Sequence, residues 1–350
     1  MTGRTPRCEL REMLVPGAAL LLPGVANALA ARVVADQGFA AAYVTGAGIA
    51  NTFFGVPDIG LVTVSELAAH VAAIRDVFSG PLVVDADTGF GNAVNMLRTV
   101  QLLERAGADA LQIEDQVFPK RCGHFAGKEV IPAEEMVGKI KAAVDARHDH
   151  DLLIIARTDA IAPEGFTAAL ERAAAYREAG ADVTFVEAPT SIEQIADIPR
   201  RLPWPQLINI VIGGRTPELP NAKLKELGYA GVIYANVALQ SALKGMQAAL
   251  GELRRKGHMG DVLNLVADFS ERQRLVHKHE FDALERKYSA EVIREEIRNA
   301  KDGGPLELLV ANGKAFSTYR IDYHGGEKYP VLQRNGQPAL LDDILKPLTR

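Results

Sequence analysis

The chain has 350 residues, 48% hydrophobic and 24% charged, close to the averages of soluble globular proteins, which excludes disordered and fibrous classes. Thirty-nine Lys and Arg stand against 44 Asp and Glu, a formal charge of -5, with no basic block dense enough for a row of phosphates; this argues against nucleic acid as a partner. Two cysteines, Cys8 and Cys122, lie far apart, which gives neither a disulfide framework nor a cysteine zinc site and points to the cytoplasm.

In chain order, two uncharged runs come first, Met13 to Ala31 and Gln37 to Pro57. Each is long enough to suggest a membrane helix or a signal peptide. Pro16, Gly17, Pro23 and Gly24 break the first, and Gly46, Gly48, Asn51 and Gly55 the second, so no membrane association is expected.

A repeat then organises the chain: an amphipathic helix, a glycine and a short apolar run. Copies centre on Gly38, Gly107, Gly180 and Gly228, and each ends in a run suited to a buried parallel strand, the last residues being Val44, Ile113, Val186 and Tyr234. Ala19 to Leu22, Pro81 to Val84, Leu152 to Ala156 and Gln206 to Ile210 supply four more strands. Helices between them start at Ser65, Asn92 and Thr167, with i, i+4, i+7 apolar spacing such as Leu67, Val71 and Ile74. Eight alternating strands and helices predict a (β/α)8 TIM barrel within residues 1–260. An open doubly wound sheet is the alternative, but no Gly-x-Gly-x-x-Gly follows the first strand.

Two connections are long, Gly46 to Val64 and Asp115 to Pro132, as functional loops often are. Beyond the barrel, residues 261–300 read as a charged amphipathic helical extension. Residues 301–350 are a tail of unknown role with strand-like pieces such as Ser317 to Tyr323.

In such a barrel the active site lies at the carboxyl ends of the strands. The runs end in Tyr43-Val44-Thr45-Gly46, Asp85-Ala86-Asp87, Glu114-Asp115, Arg157-Thr158-Asp159, Glu187 and Asn209. Asp85 and Asp87, two apart on an extended segment, point to one side and with Glu114 make an oxygen-rich set suited to Mg2+; a solvated turn is the alternative. Arg157 is open between binding a substrate carboxylate and pairing with Glu187 or Asp159. Cys122, amid Lys120, Arg121 and His124, is open between a thiol exchanging protons near neutral pH and an inert buried one. His70, His258 and His277 read as helix-surface residues without a role.

These residues carry a resemblance. Val84-Asp85-Ala86-Asp87-Thr88-Gly89-Phe90-Gly91, Ile113-Glu114-Asp115-Gln116, Lys120-Arg121-Cys122-Gly123-His124 and Ala156-Arg157-Thr158-Asp159-Ala160 resemble the isocitrate lyase and phosphoenolpyruvate mutase superfamily. The likeness is strongest to its 2-methylisocitrate lyase and 2,3-dimethylmalate lyase branches, over about residues 10 to 290. It implies a helix-swapped homotetramer using Mg2+, with Mn2+ able to substitute, on a small di- or tricarboxylate. Asp85 and Asp87 would hold the metal directly or through water, and Glu114 a water on it. Tyr43, Thr45, Gly46, Ala47 and Arg157 would surround the 2-oxo acid portion, completed by Asp58, Glu187 and Asn209. Cys122 would protonate the departing carbanion, Arg121 and His124 would supply positive charge, and Lys120 to His124, Gly123 included, would lie on a gate over the substrate.

The implied reaction is retro-aldol cleavage of a substituted malate to a 2-oxo acid such as pyruvate plus a carboxylate. The base is open between Tyr43 and a hydroxide on the metal. Thr45-Gly46-Ala47 replaces the Ser-Gly-Gly of 2-methylisocitrate lyases, and Phe125-Ala126-Gly127-Lys128 replaces Arg-Pro-Asn-Lys, which removes an arginine suited to a third carboxylate and is nearer dimethylmalate lyase. Oxaloacetate decarboxylation or hydrolysis and phosphonopyruvate mutation or hydrolysis are the alternatives in the superfamily. The phosphono enzymes lack the gate cysteine, and the intact Asp85, Asp87, Glu114 and Arg157 set argues against a non-catalytic binding protein.

Overall fold

Short apolar runs flanked by capped helices become eight parallel strands in a closed barrel, ordered β1 to β8 around the ring: β1 (Leu20–Val25), β2 (Ala42–Val44), β3 (Leu82–Asp85), β4 (Ala110–Glu114), β5 (Leu153–Thr158), β6 (Val183–Val186), β7 (Gln206–Asn209) and β8 (Gly231–Tyr234). The computed structural model describes residues 4–121, 123, 127–260, 262–288, 306–312 and 315–321. The chain divides into two compact units, Met1–Val276 and His277–Arg350. In the second, a helix Lys278–Lys287 and an antiparallel pair of strands, Leu306–Asn312 and Ala315–Ile321, are described. Asp322 and Tyr323 of the expected strand piece lie outside the described residues, as do residues 289–300 of the expected helical extension.

The glycines that close the repeated helices all adopt left-handed backbone, φ +76° at Gly38, +103° at Gly107, +111° at Gly180 and +101° at Gly228, a region that costs a side-chain-bearing residue energy. The helices they follow are α2 (Ala28–Asp36), α5 (Ala93–Ala106), α8 (Phe166–Glu178) and α10 (Asn221–Leu227). Asn92 caps α5 as expected, its side chain accepting from the Val94 and Asn95 amides. Two expected starts move. Helix α4 (Val64–Arg75) begins two residues early because Thr63 and Glu66 form a reciprocal capping box, and α8 begins after Gly165, which places Thr167 inside its first turn.

Alternation along the strands builds the interior. Leu22, Tyr43, Val83, Ala110, Leu153, Ile155, Val183, Phe185, Leu207 and Ile233 fill the barrel, while their neighbours Val84, Leu111, Ile113, Ile154 and Ala156 face the helices. An amino-terminal helix, α1 (Pro6–Met13), plugs the lower end: Thr5 caps it, Pro6 occupies its first turn, and Leu10 and Leu14 join the interior cluster. Complete burial of a leucine stabilises by about 1.5–3 kcal/mol. With the bottom closed, solvent reaches the interior from the carboxyl ends of the strands.

The connection after β2 is not the structureless loop that its glycines suggest. It forms α3 (Gly46–Ile49) and a wider π turn, Ala50–Phe54. A Cβ at Gly48 would lie 2.5 Å from Thr45 Cγ2, so this helix packs only because the residue is glycine. After β4, the loop's stems pair: the Val117 amide donates to the Glu129 carbonyl at 2.9 Å and the Ile131 amide to the Asp115 carbonyl at 2.8 Å. Helix α6 (Ala133–Ala146) follows.

Candidate active site

The period that fills the barrel also aims its polar ends. Continuing the inward positions gives Thr45 after Tyr43, Asp85 after Val83, Gln112 and Glu114 after Ala110, Arg157 after Ile155, Glu187 after Phe185 and Asn209 after Leu207. Tyr43, Thr45, Ala47, Asp58, Asp85, Lys120, Gly123, Arg157, Glu187 and Asn209, all sequence-expected, come together around a cavity of about 30 Å3, joined by Val211, Ala235 and Asn236, which sequence reasoning missed. That volume is roughly a single water's share of the liquid. A neighbouring space of about 630 Å3 shares Ala47, Asp58, Val211 and Asn236 with it and adds Arg215 and Asn51.

Asp85 and Asp87 converge, though not by strand alternation. The strand ends at Asp85, and Asp87 takes a left-handed backbone, φ +48°, which costs a non-glycine residue about 1–3 kcal/mol and is found where surroundings enforce it. The Asp87 amide donates to Asp85 Oδ1 at 3.2 Å. A Cβ added at Gly46 would lie 3.2 Å from Asp87 Oδ1 and 3.4 Å from Asp85 Oδ2, so the missing side chain keeps open the space that both carboxylates face. Among the described residues no three acidic, histidine or cysteine side chains form a closed set of metal ligands.

Lys120 pairs with two carboxylates of this group. Its ammonium lies 2.5 Å from Asp58 Oδ1 and 2.8 Å from Asp87 Oδ1. Burial works against this charge, but Asp87, Glu114, Asp58 and Asp85 outweigh it and hold the lysine protonated well above its usual range. Burial, with Asp85 and Asp58 adding repulsion against the attraction of Lys120, raises the Asp87 carboxyl to about 6. Burial likewise pushes Glu114 well up, opposed by Arg157. Glu114 Oε1 is buried and has no hydrogen-bond partner among the described residues, and Oε2 lies 3.4 Å from Arg157 Nη1.

Of its open readings, Arg157 shows the ion pair with Asp159. Its Nε and Nη2 donate to Asp159 at 2.8 and 3.0 Å, Glu187 lies 3.8 Å away, and the guanidinium rests 5.4 Å above the Phe185 ring. The fork expected to grip a substrate carboxylate is engaged by Asp159, and Nη1 faces Glu114 Oε2. Desolvation opposes ionisation of Asp159, but Arg157 and Lys128 prevail and bring its carboxyl down to about 2. Asp115 anchors this layer, accepting from the Asp159 amide at 2.9 Å and from the Thr158 and Tyr176 hydroxyls, each at 2.7 Å.

The Tyr43 hydroxyl donates to Gln112 Oε1 at 2.8 Å, and Gln112 Nε2 donates to Asp85 at 3.2 Å. Burial first, and then Asp85, hold this phenol well above its usual range, and Tyr43 is the donor to Gln112. Gln112, a lone polar residue inside an apolar strand run, was the available signal. Arg121 is exposed and does not line the cavity; the Gln116 side chain donates to its carbonyl at 2.8 Å and accepts from its amide at 2.9 Å. Cys122 and His124 lie outside the described residues.

A closed parallel barrel with a carboxylate-rich pocket at its carboxyl end defines an enzyme acting on small polar molecules. Residues 10–254 match the phosphoenolpyruvate phosphomutase family. The chain is 43% identical over 281 residues to 2,3-dimethylmalate lyase of Eubacterium barkeri, covering 80% of this chain and 97% of that one. It is 44% identical over 289 residues to 2-methylisocitrate lyase of Aeropyrum pernix, covering 83% and 92%. Among solved structures, a 2,3-dimethylmalate lyase superposes with TM-score 0.76 at 36% identity, covering 81% and 95%, and a phosphonopyruvate hydrolase complexed with oxalate and Mg2+ with TM-score 0.74 at 31%, covering 81% and 99%. The chain belongs to the phosphoenolpyruvate mutase and isocitrate lyase superfamily, and it is a carbon–carbon lyase.

Proposed function

We propose that this enzyme cleaves a 2-alkyl-substituted malate of the 2,3-dimethylmalate type, with Mg2+, by retro-aldol chemistry to a 2-oxo acid and a carboxylate. The observation that carries the reading is the gap before Gly46, faced by Asp85 and Asp87, beside Glu114 Oε1, which has no partner among the described residues. Charge supports it: Asp58, Asp85, Asp87, Glu114, Asp159 and Glu187 are answered by Lys120, Lys128 and Arg157, and a divalent ion offsets most of the excess. Asp85 and Asp87 hold the ion directly or through water, with Glu114 behind them, and Mn2+ fits the same oxygens. Bound there, Mg2+ supplies the Lewis acidity that lowers the pKa of a chelating 2-hydroxyl group.

The protein's own groups do the rest. The Nη1 edge of Arg157 orients the carboxylate of the 2-oxo acid portion, with Thr45, Gly46 and Ala47 around it and Asp58, Glu187 and Asn209 completing the wall. Tyr43, hydrogen-bonded to Gln112, or a hydroxide at the metal site would take the proton that leaves the 2-hydroxyl group. The buried Lys120, with His124, stabilises the carbanion conjugated to the leaving carboxylate, in place of the exposed Arg121, and Cys122 delivers its proton. The test is a screen of 2-alkylmalates, 2-methylisocitrate, oxaloacetate and phosphonopyruvate with Mg2+, products identified by mass. Turnover confined to oxaloacetate or phosphonopyruvate overturns the reading.

Within that screen, kcat/KM for 2,3-dimethylmalate should exceed that for 2-methylisocitrate. The sequence lacks the arginine after His124 that would meet a third carboxylate, and a charge buried without a partner costs several kcal/mol, on the order of 100-fold or more in rate constant. A clear advantage for the tricarboxylate would reject this preference.

The quaternary reading is a helix-swapped homotetramer in the cytoplasm. Among the described residues no helix is long and apolar enough to cross a membrane. Helix α11 (Val237–Lys256) buries none of its residues, and Leu243, Met246, Leu250 and Leu253 line one exposed stripe. Leu263, Val266 and Phe269 beyond it are exposed as well. Apolar faces of this extent mark protein interfaces, and a second copy covers them here. Truncation after Gly260 should therefore lower the oligomer mass in light scattering and reduce activity. Unchanged mass and activity would make the extension an appendage.

A further inference from the structure

Helix α8 packs on the outside of the barrel through Ala169, Leu170 and Ala173, and two of its polar side chains reach inward to Asp115. The buried Tyr176 hydroxyl donates to Asp115 Oδ2 at 2.7 Å and accepts from Arg172 Nη1 at 3.1 Å. Arg172 is itself held: Nε and Nη2 donate to Glu164 at 2.6 and 2.7 Å, and Nη1 donates to the Ile131 carbonyl at 2.9 Å. Asp115 passes the constraint toward the site. Its Oδ1 accepts from the Asp159 amide at 2.9 Å, its Oδ2 also accepts from the Thr158 hydroxyl, and the Asp159 carboxylate takes Nε and Nη2 of Arg157. Nη1 of Arg157 lies 3.4 Å from Oε2 of Glu114, the residue before Asp115. The contacts therefore close a ring through Asp115, Asp159, Arg157 and Glu114, which fixes the end of β4 against the end of β5.

We propose that Tyr176 and Arg172 are positioning residues for the reaction: from outside the barrel they orient the Asp115 carboxylate, and through it they align Asp159 and the Arg157 guanidinium. The inference rests on the reading of Arg157 as the group that orients the substrate carboxylate. Neither Tyr176 nor Arg172 lines the cavity, so any effect on turnover passes through Asp115. Of the donors to Asp115, Thr158 and Asp159 belong to the same segment as Arg157 and would shift together with it. Tyr176 and Arg172 come from a separate helix, and they alone among these donors supply an external frame. Charge-assisted bonds in a desolvated network are directional and polarise one another, so loss of the phenol hydroxyl lets the carboxylate turn and carries the guanidinium with it.

The experiment compares the full chain as wild type, Tyr176→Phe, Arg172→Lys, Tyr229→Phe and Arg157→Lys, with Mg2+ and the substrate turned over fastest in the screen above. Tyr229 is the matched control: its hydroxyl is equally buried and donates once, to the Ile195 carbonyl at 2.9 Å, between α10 and β8. Both phenylalanine variants should unfold at a lower temperature, because each loses one buried hydrogen bond. Only Tyr176→Phe should also lower kcat, on the order of 10-fold, with KM moving much less, since the guanidinium charge stays in the site and only its alignment is lost. Arg172→Lys keeps a cation beside Asp115 and breaks the fork to Glu164, and a smaller fall in kcat is expected. A kcat for Tyr176→Phe equal to that of Tyr229→Phe would overturn the positioning role alone. If Tyr176→Phe does not fold, wild-type kcat in Arg172→Lys overturns that role instead. Wild-type kcat/KM in Arg157→Lys would overturn the reading of Arg157 and this inference with it.

Discussion

Asp85→Asn and Asp87→Asn should each lower kcat/KM by more than about 100-fold, the upper end seen when even the outer partners of metal ligands are disturbed. Both carboxylates face the space that Gly46 leaves open. The amide keeps the shape and an acceptor, so Gln112 and the Asp87 amide retain their bonds to position 85. The fold should survive. Both side chains are buried, and loss of a desolvated charge beside like charges is often neutral or stabilising, while Lys120 keeps Asp58. Steady-state kinetics over a Mg2+ titration, with thermal unfolding of the same samples, is the check. Wild-type rates in the metal-stripped double variant would remove the cation from the mechanism.

Cys122→Ser should fall below about a tenth of wild-type turnover at saturating substrate, because general acid catalysis contributes about 100-fold or more and a serine hydroxyl is a far weaker acid than a thiol among cations. Its neighbours Lys120 and Gly123 both line the cavity, the first in ion pairs with Asp58 and Asp87, the second against Arg157 and Glu187. The readout is protonated carboxylate product formed per unit time. Retention of more than a tenth would favour decarboxylation or hydrolysis, which need no carbanion protonation by this thiol.

The sequence by itself determined the barrel and the membership of its polar rim. Gly38, Gly107, Gly180 and Gly228 closing helices, uncharged runs of strand length and Asn92 before a helix are local signals, because backbone preference and alternation act over a few residues. Alternation carried further explains why Asp85, Glu114, Arg157, Glu187 and Asn209 share one cavity wall or its floor. What only the tertiary structure decided is which group meets which. Lys120 sits between Asp58 and Asp87, Asp159 takes the fork of Arg157, Tyr43 donates to Gln112, Gln116 holds the Arg121 backbone and α1 closes the barrel floor. These pairings join residues from different strands and loops, and their strength depends on separations of a few ångströms and on loss of water around each charge. Spacing along the chain encodes neither quantity; closure of the barrel sets both.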